Sequence, residues 1–163
     1  MAKGTEIIDY KNRILKDLLH NEDESLSIDL VTALDPEFLG AEDDLIYERV
    51  FPYLHIPETQ TEARSYITFK VEMPKVSTKN YFFKDMMITI NVIVHEGVMQ
   101  MPARYSATRA DYIASIINKI FNGNKNYGTV PLEYVSDIED VMLNKLHIRS
   151  LRFRCNELNS VRC

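Results

Sequence analysis

The chain has 163 residues, of which 45% are hydrophobic and 26% charged, and its formal net charge is −5. This length suits one domain with a sizeable core, and the acidic balance disfavours a dedicated nucleic-acid binder. Because no run of about 18 apolar residues occurs, we expect no membrane span. Two cysteines, Cys155 and Cys163, are too few for a small secreted fold held by disulfides, so we expect a reducing cytoplasm.

The first 61 residues predict helices followed by an extended connector. Between residues 6 and 20 most of the apolar side chains share one helical face, which indicates a long helix. Shorter apolar patterns predict helices at residues 26–34 and 41–50. Pro52 ends the last of these helices, and residues 51–61 are expected to run extended along the core.

The most regular pattern in the chain is a period of two over residues 83–95. The residues of one parity are Met86, Ile88, Ile90, Val92 and Val94. Side chains of a strand alternate between its faces, so this pattern predicts a long strand with one buried face. Asn91 and His95 lie on the other parity, which is mixed in character. Residues 65–73 alternate in the same way, and the short link predicts antiparallel pairing.

A second long helix is predicted in the C-terminal half. Thr108 and Asp111 resemble a capping box ahead of an apolar helical stripe. Gly123 follows this stripe and suits the left-handed conformation that ends many helices.

Two strands are predicted after this helix. They cover residues 130–135 and 145–155, with an acidic turn at 137–140 between them. The apolar parity of the last strand changes along its length, which predicts a one-residue bulge near Arg149. Residues 156–163 are interpreted as a polar tail.

The predicted fold class is α+β. It consists of an antiparallel sheet of about four strands with two long helices packed on one face, plus short N-terminal helices. Residues 1–163 are expected to form one domain, divided into a helical part with its connector (1–61), the sheet with its covering helix (62–155) and the tail (156–163).

No pattern in the sequence predicts catalysis, a metal site or a cofactor. The histidines are scattered, although His95 and His147 could be neighbours on adjacent strands. The acidic runs read as solvated turns and helix starts, and no glycine-rich phosphate loop is present. We therefore expect no enzyme, and a small metal-dependent enzyme is the distant alternative.

Two sets of residues are candidates for contacts with other proteins. Met99, Met101 and Tyr105 lie in a loop with few charges, which either contacts a partner or folds back over the core. Asn91 and His95 lie on the mixed face of the long strand, where a neighbouring subunit or a lumen is expected.

A basic stretch in the last predicted strand is a further candidate. Arg149, Arg152 and Arg154 would contact a polyanion or the acidic patch of a partner. The alternative is a solvated strand face whose arginines pair with Glu72 and Asp85.

The order of elements resembles that of the tail terminator and tail-completion proteins of long-tailed bacteriophages. The stretches that carry the resemblance are residues 65–73, 86–95, 107–123 and 132–153. In addition, Leu-Glu-Tyr-Val-Ser-Asp-Ile-Glu-Asp followed by Leu-His-Ile-Arg-Ser-Leu-Arg-Phe is similar to the closing hairpin of these proteins.

The resemblance implies a ring, typically hexameric, that caps the tail tube and joins it to the head connector. The implied partners are copies of the chain itself, the tail tube protein and a neck protein, with no membrane. Genomic DNA would pass through the lumen without specific binding. The resemblance places the protein in the virion after assembly in the bacterial cytoplasm. A head–tail adaptor or another neck protein is the alternative.

Overall fold

The computed structural model describes residues 6–57, 62–73, 83–142 and 145–158. The helices are α1 (Glu6–Leu19), α2 (Glu24–Leu34) and α3 (Arg109–Phe121). The strands are β1 (Val50–Phe51), β2 (Ser65–Glu72), β3 (Phe83–His95), β4 (Glu133–Met142) and β5 (Leu146–Leu158). Within these stretches, no helix has the length and apolar character needed to cross a membrane.

The five strands form one sheet in the order β1-β2-β3-β5-β4. All neighbouring pairs are antiparallel except β1, which runs parallel to β2 and pairs Val50 with Ile67. The predicted fold class is therefore wrong, because the sheet is mixed and has five strands. Three helices of 14, 11 and 13 residues are present, where two long helices and short N-terminal helices were predicted. A two-residue strand such as β1 has no periodicity that a sequence pattern could detect.

The helix predicted at residues 41–50 is also wrong. Only a short 3-10 turn forms there, at Glu42–Leu45, and Leu45 packs into the core. Tyr47 then adopts a left-handed conformation with φ 66°, which a continuous α-helix does not allow. This reversal directs the chain into β1.

The main core lies between the helices and one face of the sheet. The fully buried residues of β3 on this face are Met86, Ile88, Ile90, Val92 and Val94. α3 contacts β3 and β5, α1 contacts β2, and α2 packs against the other two helices. Thr108 caps α3 as predicted, its Oγ1 accepting a hydrogen bond from the backbone N of Asp111 (3.2 Å). Gly123 follows the helix at φ +76°. The assignment of residues 1–163 to one domain stays a prediction.

A second, smaller apolar cluster lies on the opposite face of the sheet, called here the outer face. It contains Phe51, Tyr66, Ile93 and Leu146, with Ile148 packed against it. This cluster explains the change of parity in β5. Leu146 and Ile148 pack on the outer face, whereas Leu151, Phe153 and Cys155 pack into the main core. β5 pairs with β3 without a register shift, so the predicted bulge near position 149 is wrong.

The bulge lies in β4 instead, between Tyr134 and Ser136. β4 is an edge strand that starts three residues later than predicted and runs through the region expected to be an acidic turn at 137–140. β4 has only one neighbouring strand, and its acidic residues Glu133, Glu139 and Asp140 are exposed, whereas Asp137 is partly buried against Arg149. β5 likewise continues to Leu158, three residues beyond the predicted end.

Candidate interaction surfaces

A groove opens where the start of α3 approaches β4 and β5. Its volume is about 620 Å³, and Ala110, Val141 and Ile148 are among the apolar residues that line it. A neighbouring depression of about 720 Å³ shares Met99, Thr108 and Asp111 with it and follows the loop after β3. The two together form one continuous concave surface, called here the α3 groove.

Arg149 lies in the wall of the α3 groove rather than on the outer face. Its Nε and Nη2 donate hydrogen bonds to both carboxylate oxygens of Asp137, at 2.8 and 2.7 Å. Its Nη1 also pairs with Asp111 of α3, and Glu139 is 3.9 Å away. Hydrogen bonding to Asp137 is the main cause that raises the pKa of the Arg149 guanidinium. Arg149 therefore links the edge strand to the start of the helix.

Arg152 and Arg154 lie on the outer face, opposite Arg149. Arg154 donates a hydrogen bond to Glu133 on β4 at 2.9 Å. Arg152 is exposed and makes no ion pair with any residue that the structure describes. The three arginines predicted as one basic stretch thus divide between two faces, because position 149 has the opposite parity to positions 152 and 154. Their proposed role in contacts with a partner stays a prediction.

The outer face carries a row of polar side chains across three strands. Ser150 on β5 donates a hydrogen bond to the Oδ1 of Asn91 at 2.5 Å. The Nδ2 of Asn91 in turn donates to the Oγ1 of Thr68 on β2 at 3.5 Å. Asn91 is half-buried, and its side-chain amide is hydrogen-bonded to both neighbouring strands.

His95 and His147 lie on adjacent strands, as the sequence allowed, but on opposite faces of the sheet. His95 lies on the outer face opposite Leu146, whereas His147 lies opposite Val94 on the helix face. The Nδ1 of His95 accepts a hydrogen bond from the backbone N of Gly97 at 2.9 Å, which caps the short turn after β3. Across the described stretches, no group of three or more His, Cys, Asp or Glu residues is arranged to hold a metal ion.

The loop after β3 is held partly against the helices. Met99, Met101 and Tyr105 are all half-buried, and the Tyr105 ring meets the edge of Tyr112 with centroids 4.9 Å apart. Met99 also packs against the main core. The loop therefore forms part of the wall of the α3 groove and keeps a portion of its apolar surface exposed.

Arg109 holds this loop against the helices, a role that the sequence analysis did not assign. Its Nε donates to the carbonyl oxygen of Val98 at 2.6 Å, and its Nη1 donates to that of Ala33 in α2 at 2.7 Å. Burial lowers the pKa of Arg109. A basic residue in the first turn of a helix is electrostatically unfavourable, and that anomaly is the signal that could have revealed this anchoring role.

Exposed apolar side chains concentrate at the two edges of the sheet. The first group, called here the edge surface, lies along β4 and consists of Tyr134, Val135, Ile138 and Val141. Ile138 is on the outer face of this edge strand, and Tyr134 and Val141 are on its helix face. The second group, called here the connector surface, flanks β1 and consists of Tyr47, Tyr53, Leu54 and Ile56. Ile138 and Val141 are 59% and 62% exposed, which is unusual for residues within a strand. Apolar patches of this kind commonly mark contacts between proteins.

The class of protein defined by this arrangement is a small mixed-sheet domain with helices on one face, exposed apolar surfaces at its sheet edges and no metal-binding cluster among the described residues. The YomW family matches residues 12–155, and the chain belongs to this family. The family is phage-derived, and this membership supports a phage structural protein.

One solved structure is similar in fold. It is a chain described as "Virion of native gene transfer agent (GTA) particle", with 15% sequence identity and a TM-score of 0.47. The match covers 81% of the present chain and 93% of the other chain. A likeness of this degree carries no argument about function. No curated protein matches the sequence.

Proposed function

We propose that the protein is a structural virion subunit that forms a ring and acts as a tail terminator, capping the phage tail tube and joining it to the head connector. Membership of a phage-derived family supports the viral assignment. The observation that carries the ring is the presence of two different apolar surfaces, the edge surface and the connector surface, at opposite edges of the same sheet.

Two different surfaces favour a head-to-tail contact between copies. A two-fold dimer uses the same surface on both subunits, whereas a contact between unlike surfaces leaves one of each free and continues until a ring closes. The two edges are about 19 Å apart across four strand spacings, so both can be occupied at once. The acidic side chains along β4 also disfavour pairing of the edge surface with itself, because like charges would face each other.

The proposal includes the partners that the resemblance implies. Copies of the chain form the ring, for which the resemblance implies a hexamer, and its two ends contact the tail tube protein and a neck protein. A net charge of −5 per subunit suits a lumen through which DNA passes without binding. The proposed location is the virion, after assembly in the host cytoplasm, and the proposal includes no enzymatic activity and no cofactor.

The oligomeric state of the purified chain tests the proposal. We expect mass photometry and negative-stain images at micromolar concentration to show one discrete ring. The variant Ile138→Asp/Val141→Asp should yield monomers, because it places charge on the edge surface. The control Ile28→Asp/Leu39→Asp alters exposed apolar residues that belong to neither surface and should leave the ring intact. A parent chain that is strictly monomeric and has no affinity for tail-tube ends would refute the proposal.

The same purified chain separates a terminator from a head–tail adaptor. A terminator binds the ends of tail tubes, so it should co-sediment with tubes and appear at their ends in images. An adaptor binds portal rings instead. Binding to portal rings without binding to tubes would assign the protein to the neck and overturn the terminator role.

A further inference from the structure

The α3 groove combines an apolar floor with an acidic rim. Met99, Ala110, Val141 and Ile148 supply apolar surface. The carboxylates that line the groove and its continuation are those of Glu96, Asp111, Glu139 and Asp140. His147 and Arg149 also line the groove, and Asp137 and Asp111 already neutralise the Arg149 guanidinium.

Two of these carboxylates are available to a partner. Glu96 and Asp140 are exposed and make no ion pair with any residue that the structure describes. Glu139 is 75% exposed and only 3.9 Å from Arg149, which is a weak pairing. The groove is therefore complementary to a segment that carries both lysines and apolar side chains.

One segment outside the described residues has this composition. Residues 74–82, called here the linking segment, join β2 to β3 and read Pro-Lys-Val-Ser-Thr-Lys-Asn-Tyr-Phe. They contain two lysines and no acidic residue, although the whole chain has a net charge of −5. They also contain three apolar side chains, those of Val76, Tyr81 and Phe82.

The linking segment cannot reach the groove of its own chain. It starts after Glu72 and ends before Phe83, whereas the groove lies at the other end of β3, beside His95 and Glu96. The 13 residues of β3 separate these ends by about 40 Å. A nine-residue segment anchored at both ends extends about 15 Å at most. Only the groove of a second copy is within reach.

We propose that the α3 groove of one subunit binds the linking segment of the next subunit, with lysines against the acidic rim and aromatic side chains against the apolar floor. Glu72, the last residue of β2, and Phe83, the first residue of β3, lie at one end of these strands, whereas the groove lies beside β4 and β5 at the opposite end of β3. The contact would join two different surfaces and would therefore be head-to-tail. It rests on the proposed ring and specifies one of the contacts that would hold it together.

A binding measurement tests the contact without requiring a ring. The probe is a fluorescein-labelled peptide of residues 73–84, and the receiver is the full chain carrying Lys75→Glu/Lys79→Glu, so that its groove is not filled by another copy. We expect saturable binding in fluorescence anisotropy that weakens at higher salt. Adding Glu139→Lys/Asp140→Lys to the receiver should weaken binding by about tenfold or more.

The matched control for the groove variant is Glu22→Lys/Glu48→Lys. It makes the same change in net charge at two exposed positions outside the groove, and peptide affinity should change less than about twofold. Circular dichroism should show that all receivers are folded. Equal loss of affinity in the control and in the groove variant, or absence of binding to a folded receiver, would overturn the proposed contact.

Assembly of the variants then distinguishes this contact from the ring itself. Each charge reversal alone, Lys75→Glu/Lys79→Glu or Glu139→Lys/Asp140→Lys, should reduce the ring population in mass photometry. A chain that carries both reversals should regain it, because the charges are again complementary. Rings that persist unchanged in both single reversals would overturn the contact and leave the terminator proposal standing. If the peptide binds but the parent chain forms no ring, the groove contact would stand and the ring proposal would be overturned.

Discussion

The pairing of Arg149 with Asp137 and Asp111 gives the most demanding test of the structure. Replacing Arg149 by Met keeps most of the side-chain length but removes the charged hydrogen bonds from this residue to Asp137 on β4 and Asp111 on α3. Asp137, whose side chain is only 15% exposed, would lose its arginine partner. The substitution should therefore destabilise the fold and loosen the edge strand.

The expected loss follows from the burial of the pair. Breaking a fully buried ion pair costs about 3–5 kcal/mol, whereas an exposed pair contributes about 0–1 kcal/mol. The Arg149 side chain is 23% exposed and lies between these limits. We expect Arg149→Met to lower the free energy of unfolding by about 2–3 kcal/mol. Arg149→Lys should lose about half as much, because one ammonium cannot reproduce the two-pronged contact with a carboxylate.

Urea unfolding followed by circular dichroism measures this loss. Arg152→Met is the matched control, since it removes an arginine three positions along the same strand that is exposed and makes no ion pair within the described residues. Its effect should stay within about 0.5 kcal/mol. A double-mutant cycle with Asp137→Asn should give a coupling energy of at least about 1 kcal/mol. A loss at Arg149 no larger than that of the control, or strictly additive effects with Asp137, would refute the assigned geometry.

Three further predictions concern the core and the end of α3. Burial raises the pKa of Asp17 above 3.8, and its carboxylate accepts a hydrogen bond from the Tyr127 hydroxyl at 2.6 Å. Because the pKa of Asp17 is higher in the folded chain than in the unfolded chain, the parent loses stability as pH rises and Asp17 deprotonates. Asparagine does not ionise, so the stability of Asp17→Asn relative to the parent should increase between pH 4 and 7 in urea unfolding. An advantage that shrinks over this range would contradict the assignment. Asn91→Ala should lower the free energy of unfolding by about 1–2 kcal/mol, because Ser150 loses its acceptor; a neutral result in urea would show that the polar row is not stabilising. Gly123→Ala should cost about 1–2 kcal/mol through backbone strain alone, since nothing lies within 4 Å of the added Cβ. A thermal melt of Gly123→Asn should show a smaller loss, and equal losses would count against a left-handed strain.

Local patterns identified most of the elements correctly. The bounds predicted for β3 agree with the structure, and the helix that begins after Thr108 forms with the expected cap. These elements are long, and one face of each is almost entirely apolar, so the hydrophobic period is sufficient to define them. The prediction of a third N-terminal helix was wrong because Tyr47, a residue in the left-handed conformation, interrupts a stretch whose composition is compatible with a helix.

The prediction was least accurate for β5 and its neighbours. A sheet with one buried face would require a bulge to reconcile Leu146 with Leu151, and that assumption led to the wrong position for the bulge. The sheet instead buries apolar side chains on both faces, so both parities of β5 are satisfied without a register shift. The same parity places Arg149 beneath α3 and leaves Arg152 on the outer face.

The sequence by itself determined the long strand, the amphipathic helices and the acidic balance of charge, because these depend on periods and counts along the chain. Only the tertiary structure decided which side chains meet. Asp111 and Arg149 are separated by 38 positions, and no spacing rule relates them. The groove beside them exists because a helix start, an edge strand and a loop converge at one end of the sheet. Such convergence depends on sheet order and register, which are properties of the whole fold.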